Sequence, residues 1–413
     1  MPRVVVWIGV VSFATDASTE MIYPLLPLFL SGLGAGAGFI GVVEGAAEAM
    51  ASLLKLVSGR LADRARRKKP LTVFGYGVSS LVRPLTGLAT HPWMVLLIRL
   101  TDRFGKGVRS SPRDALLADA TSPEHRGRAY GFHHAMDNAG AVIGPAIASA
   151  LLIWGKLSLS AIFLWSAVPG AVAMAALIFG VRERGSDEKS PAGEKVKSAS
   201  LSDEKVKSVS PSAEKVKPVS LSPADADGER RLLRYLAVLG VFALGNSSDA
   251  FLLLRAKQLG VANWLIPFLW MVHNGTKAAL GTLGGALSDR LGRRRLIIAG
   301  WAVYGAAYLG FGWADAAWQM WPLFVFYGLY YALTEGSEKA LIADLAPASR
   351  RGRAFGLYYA VVGLIALPAS LGFSALADRF GALPAFSVAA GLAAAASVLL
   401  ATLIPEPSRP AKA

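Results

Sequence analysis

The sequence contains no cysteine among its 413 residues. Disulfide bonds and thiolate metal sites are therefore excluded. Charge is also scarce, because only 17% of the residues are charged whereas 54% are hydrophobic. A soluble protein of this length needs more polar side chains to cover its surface, so the composition indicates a membrane protein.

Three further absences narrow the class of protein. The period-two alternation of apolar and polar residues that a transmembrane barrel requires does not occur. The pattern GxxxxGK followed by Ser or Thr is missing, which excludes ATP hydrolysis at such a phosphate-binding loop. No nucleophile with its base and no metal triad is visible, so we predict no catalytic residue, no cofactor and no metal. The chain is not expected to be an enzyme.

Apolar runs of about 20 residues, the length that crosses the hydrocarbon core as a helix, recur along the chain. We predict twelve such helices, at 4–30, 39–58, 71–90, 93–117, 129–154, 160–181, 232–260, 264–287, 296–313, 321–342, 354–376 and 384–404. The expected fold class is therefore an all-α membrane protein with twelve transmembrane helices.

The net charge of +15 is unevenly placed along the chain. Lys and Arg cluster after the second, fourth, eighth and tenth predicted helices, at 64–69, 126–128, 290–295 and 350–353. The connections 32–38, 90–92, 260–263 and 312–320 contain neither residue. The positive-inside rule therefore predicts a multi-pass protein of the inner (plasma) membrane with both termini in the cytoplasm. Nucleic-acid binding is not expected, because the basic clusters are short loops flanking the membrane.

A polar segment divides the chain into two halves that resemble each other. The segment 182–231 repeats EKVK at Glu194, Glu204 and Glu214, and we predict a disordered cytoplasmic linker there. GRLADR from Gly59 matches GALSDR from Gly285, and RGRAYG from Arg126 matches RGRAFG from Arg351. These repeats predict two six-helix bundles, 1–181 and 232–413, that rock against each other around a central site.

These motifs resemble those of the major facilitator superfamily (MFS), and the resemblance covers the chain outside the linker. GRLADRARRKK and GALSDRLGRRR look like its cytoplasmic gate motif, RFGKG at 103–107 like its fourth-helix motif, and GAVIGP at 140–145 like its fifth-helix antiporter motif. The resemblance implies that Asp63 caps the N-terminus of the eleventh helix. The implied gate residues are Gly59, Asp63, Arg64, Gly285, Asp289 and Arg290. The implied fifth-helix residues are Gly140, Gly144 and Pro145.

The fourth helix carries an unusual density of charge. Its polar residues are spaced four, three, four and three apart, which places them in one stripe: Arg99, Arg103, Lys106, Ser110 and Arg113. Two interpretations stay open. The first-half helices hold seven bases and seven acids, which fits internal ion pairs, whereas so dense a lining also fits a wet cavity that binds a polar or charged solute.

Carboxylates near basic residues are the candidate proton carriers. Glu20 with Arg103, and Asp249 with Arg255 or Lys277, are the expected pairs. The full set predicted to bind solute or protons is Glu20, Glu48, Arg103, Lys106, Asp249, Arg255, His273, Lys277 and Glu335.

The sequence therefore favours a proton-coupled secondary active transporter that works by alternating access as a monomer. Its expected partners are a small-molecule solute, protons and the lipid bilayer. The GxxxGP pattern of the fifth helix favours export of a small charged or amphipathic solute by proton antiport. The alternatives are a proton symporter importing an anionic metabolite or metal chelate, and a lipid or lysolipid flippase.

The predicted gate can be tested at Asp63. We expect Asp63→Asn to slow or abolish transport in proteoliposomes, because the amide lacks the charge that the helix N-terminus attracts. Size-exclusion chromatography in detergent should show a folded variant. A transport rate equal to that of the unchanged protein would contradict the role of Asp63 in the gate.

Overall fold

The computed structural model describes residues 1–64, 67–121, 126–182, 223–346 and 351–404. These residues are almost entirely helical, and they form no β-strand. The predicted all-α class is confirmed. Helical segments occupy all twelve predicted positions, although several are broken into two pieces.

The described residues of the first half form eight α-helices. They are α1 (Arg3–Ile22), α2 (Leu26–Gly32), α3 (Ala37–Arg64), α4 (Lys69–Val82), α5 (Pro92–Asp119), α6 (Arg126–Ile153), α7 (Leu159–Trp165) and α8 (Ala167–Ala175). Short 3-10 turns at Tyr23–Leu25 and Arg83–Leu88 join α1 to α2 and extend α4, and Ala176–Gly180 continues α8.

The second half contains seven described α-helices. They are α9 (Pro223–Gly245), α10 (Ala250–Gln258), α11 (Ile266–Leu291), α12 (Arg293–Trp313), α13 (Met320–Leu345), α14 (Arg351–Phe380) and α15 (Ala382–Leu403). Helix α9 begins within the segment predicted as a linker. The rest of that linker, 183–222, lies outside the described residues.

Eight of the described helical segments are long and apolar enough to cross a membrane. They are Arg3–Gly32, Ala37–Lys55, Ala129–Ile153, Leu159–Gly180, Asp227–Gln258, Arg293–Trp313, Arg353–Phe380 and Ala382–Leu403. The other four predicted positions hold α4, α5, α11 and α13. Helix α4 is only 14 residues long, and α5 carries the charged stripe, so length and composition alone do not mark these two.

Two breaks in helical structure lie at the positions of site residues. The 3-10 turn between α1 and α2 begins at Tyr23 and contains Pro24, which lacks the N–H that a regular helix would use. Asp249 directly precedes α10, after the non-helical residues 246–248. Inside a membrane, irregular backbone is tolerated only where protein or water satisfies its polar groups, so both breaks belong to the interior of the bundle.

Among the described residues the two halves meet mainly where α3 packs on α14 and α6 on α11, with smaller contacts of α10 with α2 and α3 and of the turn Tyr23–Leu25 with α11. Glycine allows the α3 and α14 backbones to touch. A Cβ atom on Gly45 would lie 2.6 Å from Leu367 Cα, and one on Gly41 would lie 3.0 Å from the Ser370 carbonyl oxygen. The α6 and α11 pair is joined by Asn274 Nδ2, which donates to the Ala141 carbonyl oxygen at 3.3 Å, and Ser149 Oγ of α6 donates to the carbonyl oxygen of Trp264, just before α11, at 3.0 Å.

Valine at position 45 should prevent the contact between α3 and α14, because its Cβ would overlap Leu367. The chain has no native cysteine, so a disulfide between two introduced cysteines measures this contact without competing thiols. A Cβ on Gly38 would lie 4.0 Å from Ser374 Oγ, which suits a disulfide between Gly38→Cys and Ser374→Cys.

We expect Gly45→Val to slow oxidative cross-linking of that pair severalfold. Gly372→Val is the matched control, since Gly372 lies on α14 and a Cβ added there would have no atom within 4 Å. Equal cross-linking rates in the two variants would show that the α3 and α14 contact does not depend on Gly45.

Candidate functional site

The predicted glycine motif of α6 packs against α1 and positions its acidic side chains. A Cβ on Gly144 would lie 2.5 Å from the Ala17 carbonyl oxygen and 3.0 Å from Glu20 Cβ. A Cβ on Gly140 would lie 3.1 Å from Asp16 Cβ. Pro145 is buried within α6. Because only a hydrogen atom fits at these two glycine positions, the motif holds the α1 carboxylates against α6.

Part of the charged stripe is locked into ion pairs. Arg99 donates from Nε and Nη2 to both oxygens of Glu44, at 3.1 and 3.0 Å. Arg83 Nη2 donates to Asp102 Oδ1 at 2.9 Å, and Arg99 also lies 3.8 Å from Asp102. All four side chains are buried. For these residues the structure agrees with the interpretation of internal pairing.

The stripe continues with cations that have no such partner. Arg103 is only 7% exposed, and Lys106 is partly exposed one turn further along α5. Neither lies within 4 Å of a carboxylate oxygen among the described residues. The carboxylate of Glu48 on α3 attracts both cations electrostatically from a longer distance. It accepts a hydrogen bond from the Ser52 hydroxyl at 3.4 Å. This group of charges therefore lies close together without direct contact.

Glu20 has a partner that differs from the expected one. Trp270 Nε1, on α11, donates a 2.6 Å hydrogen bond to Glu20 Oε2. No ion pair joins Glu20 to Arg103 in the described structure, although Arg103 and Lys106 act on Glu20 at longer range. The structure does not form the expected ion pair, because packing places the Trp270 indole, and not Arg103, within hydrogen-bond distance of Glu20.

The structure gives Asp249 two tyrosine partners and does not pair it with Arg255. Tyr327 donates from its hydroxyl to Asp249 Oδ1 at 2.5 Å, and Tyr331 donates to Oδ2 at 3.3 Å. Arg255 instead donates to the carbonyl oxygens of Phe311 and Ala314. These carbonyls lie at the C-terminal end of α12, where orphan acceptors and the helix dipole attract a cation. Lys277 attracts Asp249 electrostatically, but the two side chains do not form an ion pair in the described structure.

His273 belongs to an aromatic column between the two acids. Its ring stacks on Trp270 at 4.8 Å between centroids and on Tyr327 at 5.1 Å. Tyr23 continues the column, since its ring lies 5.1 Å from Trp270. The hydrogen bonds of Trp270 and Tyr327 thus connect Glu20 and Asp249 to one rigid stack. His273 is only 2% exposed, so it supports these rings rather than facing a solute.

The remaining predicted residues, Lys277 and Glu335, form an ion pair at 3.3 Å in the second half. The other oxygen of Glu335 lies 3.2 Å from Lys339. One carboxylate is therefore shared by two ammonium groups. Lys277 also lies over the Tyr331 ring, 4.9 Å from its centroid.

Three acceptors of α6 could hold a cation. The ligand atoms of His133, His134 and Asp137 lie within 4.8 Å of one another. Both ring nitrogens of His133 are already engaged, one with Asp137 at 3.3 Å and the other with the Ser12 hydroxyl at 2.7 Å. His133 therefore has no ring nitrogen free for a cation in this arrangement.

The predicted gate is only partly visible. The side chains of Gly59, Asp63, Arg64, Gly285 and Asp289 lie outside the described residues, so the cap by Asp63 stays a prediction. Arg290 is exposed in the last turn of α11.

Sequence reasoning did not identify the aromatic partners of the acids. Tyr23, Trp270, Tyr327 and Tyr331 were not singled out, although Tyr327 and Tyr331 are spaced four apart and share a helix face. It also left Lys55 and Lys339 outside the predicted site. Lys55 lies over the ring of Tyr359 on α14, 4.9 Å from its centroid, and so contacts the opposite half.

Comparison with known proteins gives the family. The family model of the Major Facilitator Superfamily matches residues 8–276 and 235–413. The chain belongs to the major facilitator superfamily. An uncharacterised MFS-type transporter of Methanocaldococcus jannaschii is 32% identical over 370 residues, which cover 88% of this chain and 86% of the relative. An uncharacterised protein of Mycobacterium tuberculosis is 30% identical over 363 residues, or 87% and 83% of the two chains.

A shorter similarity links this superfamily member to a multidrug resistance protein, MdtH, of Proteus mirabilis. The two are 33% identical over 135 residues, which cover 32% of this chain and 34% of the relative. Solved structures share the fold at low identity. A POT family transporter has a TM-score of 0.78 at 10% identity, covering 97% and 96% of the chains. A human organic anion transporter has a TM-score of 0.63 at 15% identity, covering 96% and 99%.

Membership of the superfamily makes this chain a multi-pass membrane protein of a transporter family, and not an enzyme. Superfamily transporters carry small-molecule solutes across the membrane. The same fold serves many solutes, so the site residues have to identify the one carried here.

The buried pair of Glu44 and Arg99 yields a stability prediction. Glu44→Gln leaves a buried guanidinium without its bidentate partner, and we expect a loss of about 3–5 kcal/mol in the free energy of unfolding. SDS-induced unfolding in mixed micelles measures this. Asp227→Asn breaks the exposed pair with Arg231 and should cost under about 1 kcal/mol. Equal losses for the two variants would contradict a structural role for the buried pair.

Proposed function

We propose that this protein is a proton-coupled secondary active transporter that works by alternating access between the bundles 1–181 and 232–413. The observation that carries the proposal is the hydrogen bond between Glu20 and Trp270, 2.6 Å long and shared between the halves. Rocking of one half against the other breaks this bond. The protonation of Glu20 is thereby linked to the conformation of the bundle.

The second proposed proton carrier is Asp249. Like Glu20, it accepts hydrogen bonds from neutral aromatic donors and has no ion pair among the described residues. A carboxyl group in such a setting exchanges a proton without first breaking a salt bridge. Glu44 and Asp102, in contrast, are bound to guanidinium groups at 3.0 and 2.9 Å, so they serve as structural partners.

The proposed topology has all twelve helical positions crossing the inner membrane of a bacterium as a monomer. Helices at every predicted position support it, and so do the basic clusters at alternate helix ends. The positive-inside rule then assigns both termini and the linker to the cytoplasm.

Export by proton antiport is the favoured direction. The packing of Gly140 and Gly144 against α1 supports this, since the resemblance associates that motif with antiporters, and the partial similarity to a multidrug resistance protein agrees with it. Import of an anionic metabolite or metal chelate by symport is the second candidate. It is favoured by Arg103 and Lys106, which are cations without ion pairs among the described residues.

Proton coupling is tested with inverted membrane vesicles carrying an imposed pH gradient. Carboxyfluorescein and ethidium serve as anionic and cationic fluorescent probes. We expect the unchanged protein to move at least one probe in response to the gradient. In Glu20→Gln and Asp249→Asn the response to pH should be lost, because neither side chain then exchanges a proton.

Asp315→Asn is the control for these variants, since Asp315 is an exposed acid in the connection between α12 and α13. It should retain the full response. An unchanged dependence on the pH gradient in both carboxyl variants would remove Glu20 and Asp249 as proton carriers.

A further inference from the structure

Arg103 is a buried cation whose charge is not matched by a direct contact. Its side chain is more than nine-tenths buried, and its Nε has no hydrogen-bond partner among the described residues. No carboxylate oxygen of the described residues lies within 4 Å of the Arg103 guanidinium nitrogens. Burying an ionised group is costly unless a hydrogen-bonded counter-charge is present. Asp102, Glu48 and Glu20 offset the charge of Arg103 only from longer distances, so its guanidinium has no counter-ion in direct contact among the described residues.

Two lysines of the same half repeat this situation. Lys106 follows Arg103 on α5, and Lys55 reaches the same region from α3. The two ammonium groups repel each other electrostatically, and both are attracted by the carboxylate of Glu48. None of the three cations forms an ion pair within the described residues. Asp16 and Glu20 on α1 act on Lys106 from beyond contact distance, and Glu20 is already bonded to Trp270.

The second half brings further cations to face these. The ammonium group of Lys339 repels that of Lys55 across the interface between the halves. Lys339 and Lys277 both form ion pairs with Glu335. Five cations, Lys55, Arg103, Lys106, Lys277 and Lys339, thus lie in one region, where only Glu335 makes direct ion pairs with any of them among the described residues. Glu48, Asp16, Glu20 and Glu338 attract them from longer distances. Like charges on opposing halves repel one another. An anion between them converts this repulsion into attraction and draws the halves together.

We propose that the space between the halves is an anion-binding site, formed by Arg103, Lys106 and Lys55 from one side and by Lys339 and Lys277 from the other. Resting on the proposed transport function, this makes the solute a small organic anion with a carboxylate, phosphate or sulfonate group. Guanidinium and ammonium groups donate charge-assisted hydrogen bonds to such oxygens. The rings of Tyr359 and Tyr331, beneath Lys55 and Lys277, provide apolar surface for the rest of the molecule.

Binding to the purified full-length chain tests this assignment without requiring transport. The probes are benzoate, benzylammonium and benzyl alcohol, which share one ring and differ in charge, together with inorganic phosphate. Thermal unfolding is followed in a neutral detergent at constant ionic strength, using the fluorescence of the 10 tryptophans. We expect benzoate or phosphate to raise the melting temperature with saturation, and the cation and the alcohol to leave it unchanged.

Variants assign the stabilisation to this site. Arg103→Gln and Lys106→Gln should each raise the dissociation constant of the stabilising anion about tenfold, because each removes one charge-assisted hydrogen bond. Lys257→Gln, an exposed lysine at the end of α10, should leave it unchanged. Should Arg103→Gln fail to fold, Arg103→Lys keeps the charge but loses the fork geometry, and Lys106→Gln remains an independent measurement.

Several outcomes would overturn the anion site. These are stabilisation by benzylammonium alone, no stabilisation by any anion, or anion binding that persists unchanged in both variants. Stabilisation by phosphatidylglycerol but by no soluble anion would also overturn it, since a lipid headgroup would then be the occupant.

The proposed anion site and the proposed proton-coupled transport can be contradicted independently of each other. Glu20→Gln should bind benzoate or phosphate at least as tightly as the unchanged protein, because it removes a negative charge near Lys106, while losing its response to the pH gradient. Gradient-driven movement of ethidium with no anion binding would leave proton-coupled transport standing and remove the anion site.

Discussion

The cost of burying charge in a membrane-embedded bundle is the constraint on which the rest of this structure depends. Helix α5 carries more charge than a bilayer tolerates on an isolated helix. Glu44 and Asp102 neutralise Arg99 and Arg83 through short contacts in the buried part of the first half. Further along the same stripe, Arg103 and Lys106 lack such contacts within the described residues. The stripe thus contains cations that are neutralised by direct ion pairs and cations that are not, and the latter belong to the proposed anion site.

Close backbone contacts make this division possible. Gly144 brings α6 against α1 beside Glu20, and Gly45 brings α3 against α14 across the two halves. Backbones at this distance leave no room to slide, so the carboxylates and cations on these helices have defined positions. The contact at Gly45 belongs to the interface between the halves, which opens and closes in the proposed alternating-access cycle.

The two halves each contain a partly buried acid that is held by aromatic hydrogen-bond donors rather than by an ion pair in the described structure. Glu20 and Asp249 occupy matching places in the repeat, and each accepts a short hydrogen bond from an aromatic donor of the second half. The stack of Trp270, His273 and Tyr327 joins those donors. Most aromatic ring contacts of the described residues lie in the second half, whereas the ion pairs with both partners buried lie in the first.

Helix positions, the polar stripe of α5 and the division into similar halves followed from the sequence, because hydropathy and residue spacing are local properties. The stripe also marked Arg103 and Lys106 as candidates before any contact was known. Their partners did not follow in the same way. Glu20 and Trp270 are 250 positions apart, and Arg255 binds carbonyls of α12 rather than Asp249. Such contacts arise only when the helices pack, since packing determines which of several chemically suitable groups lies within reach.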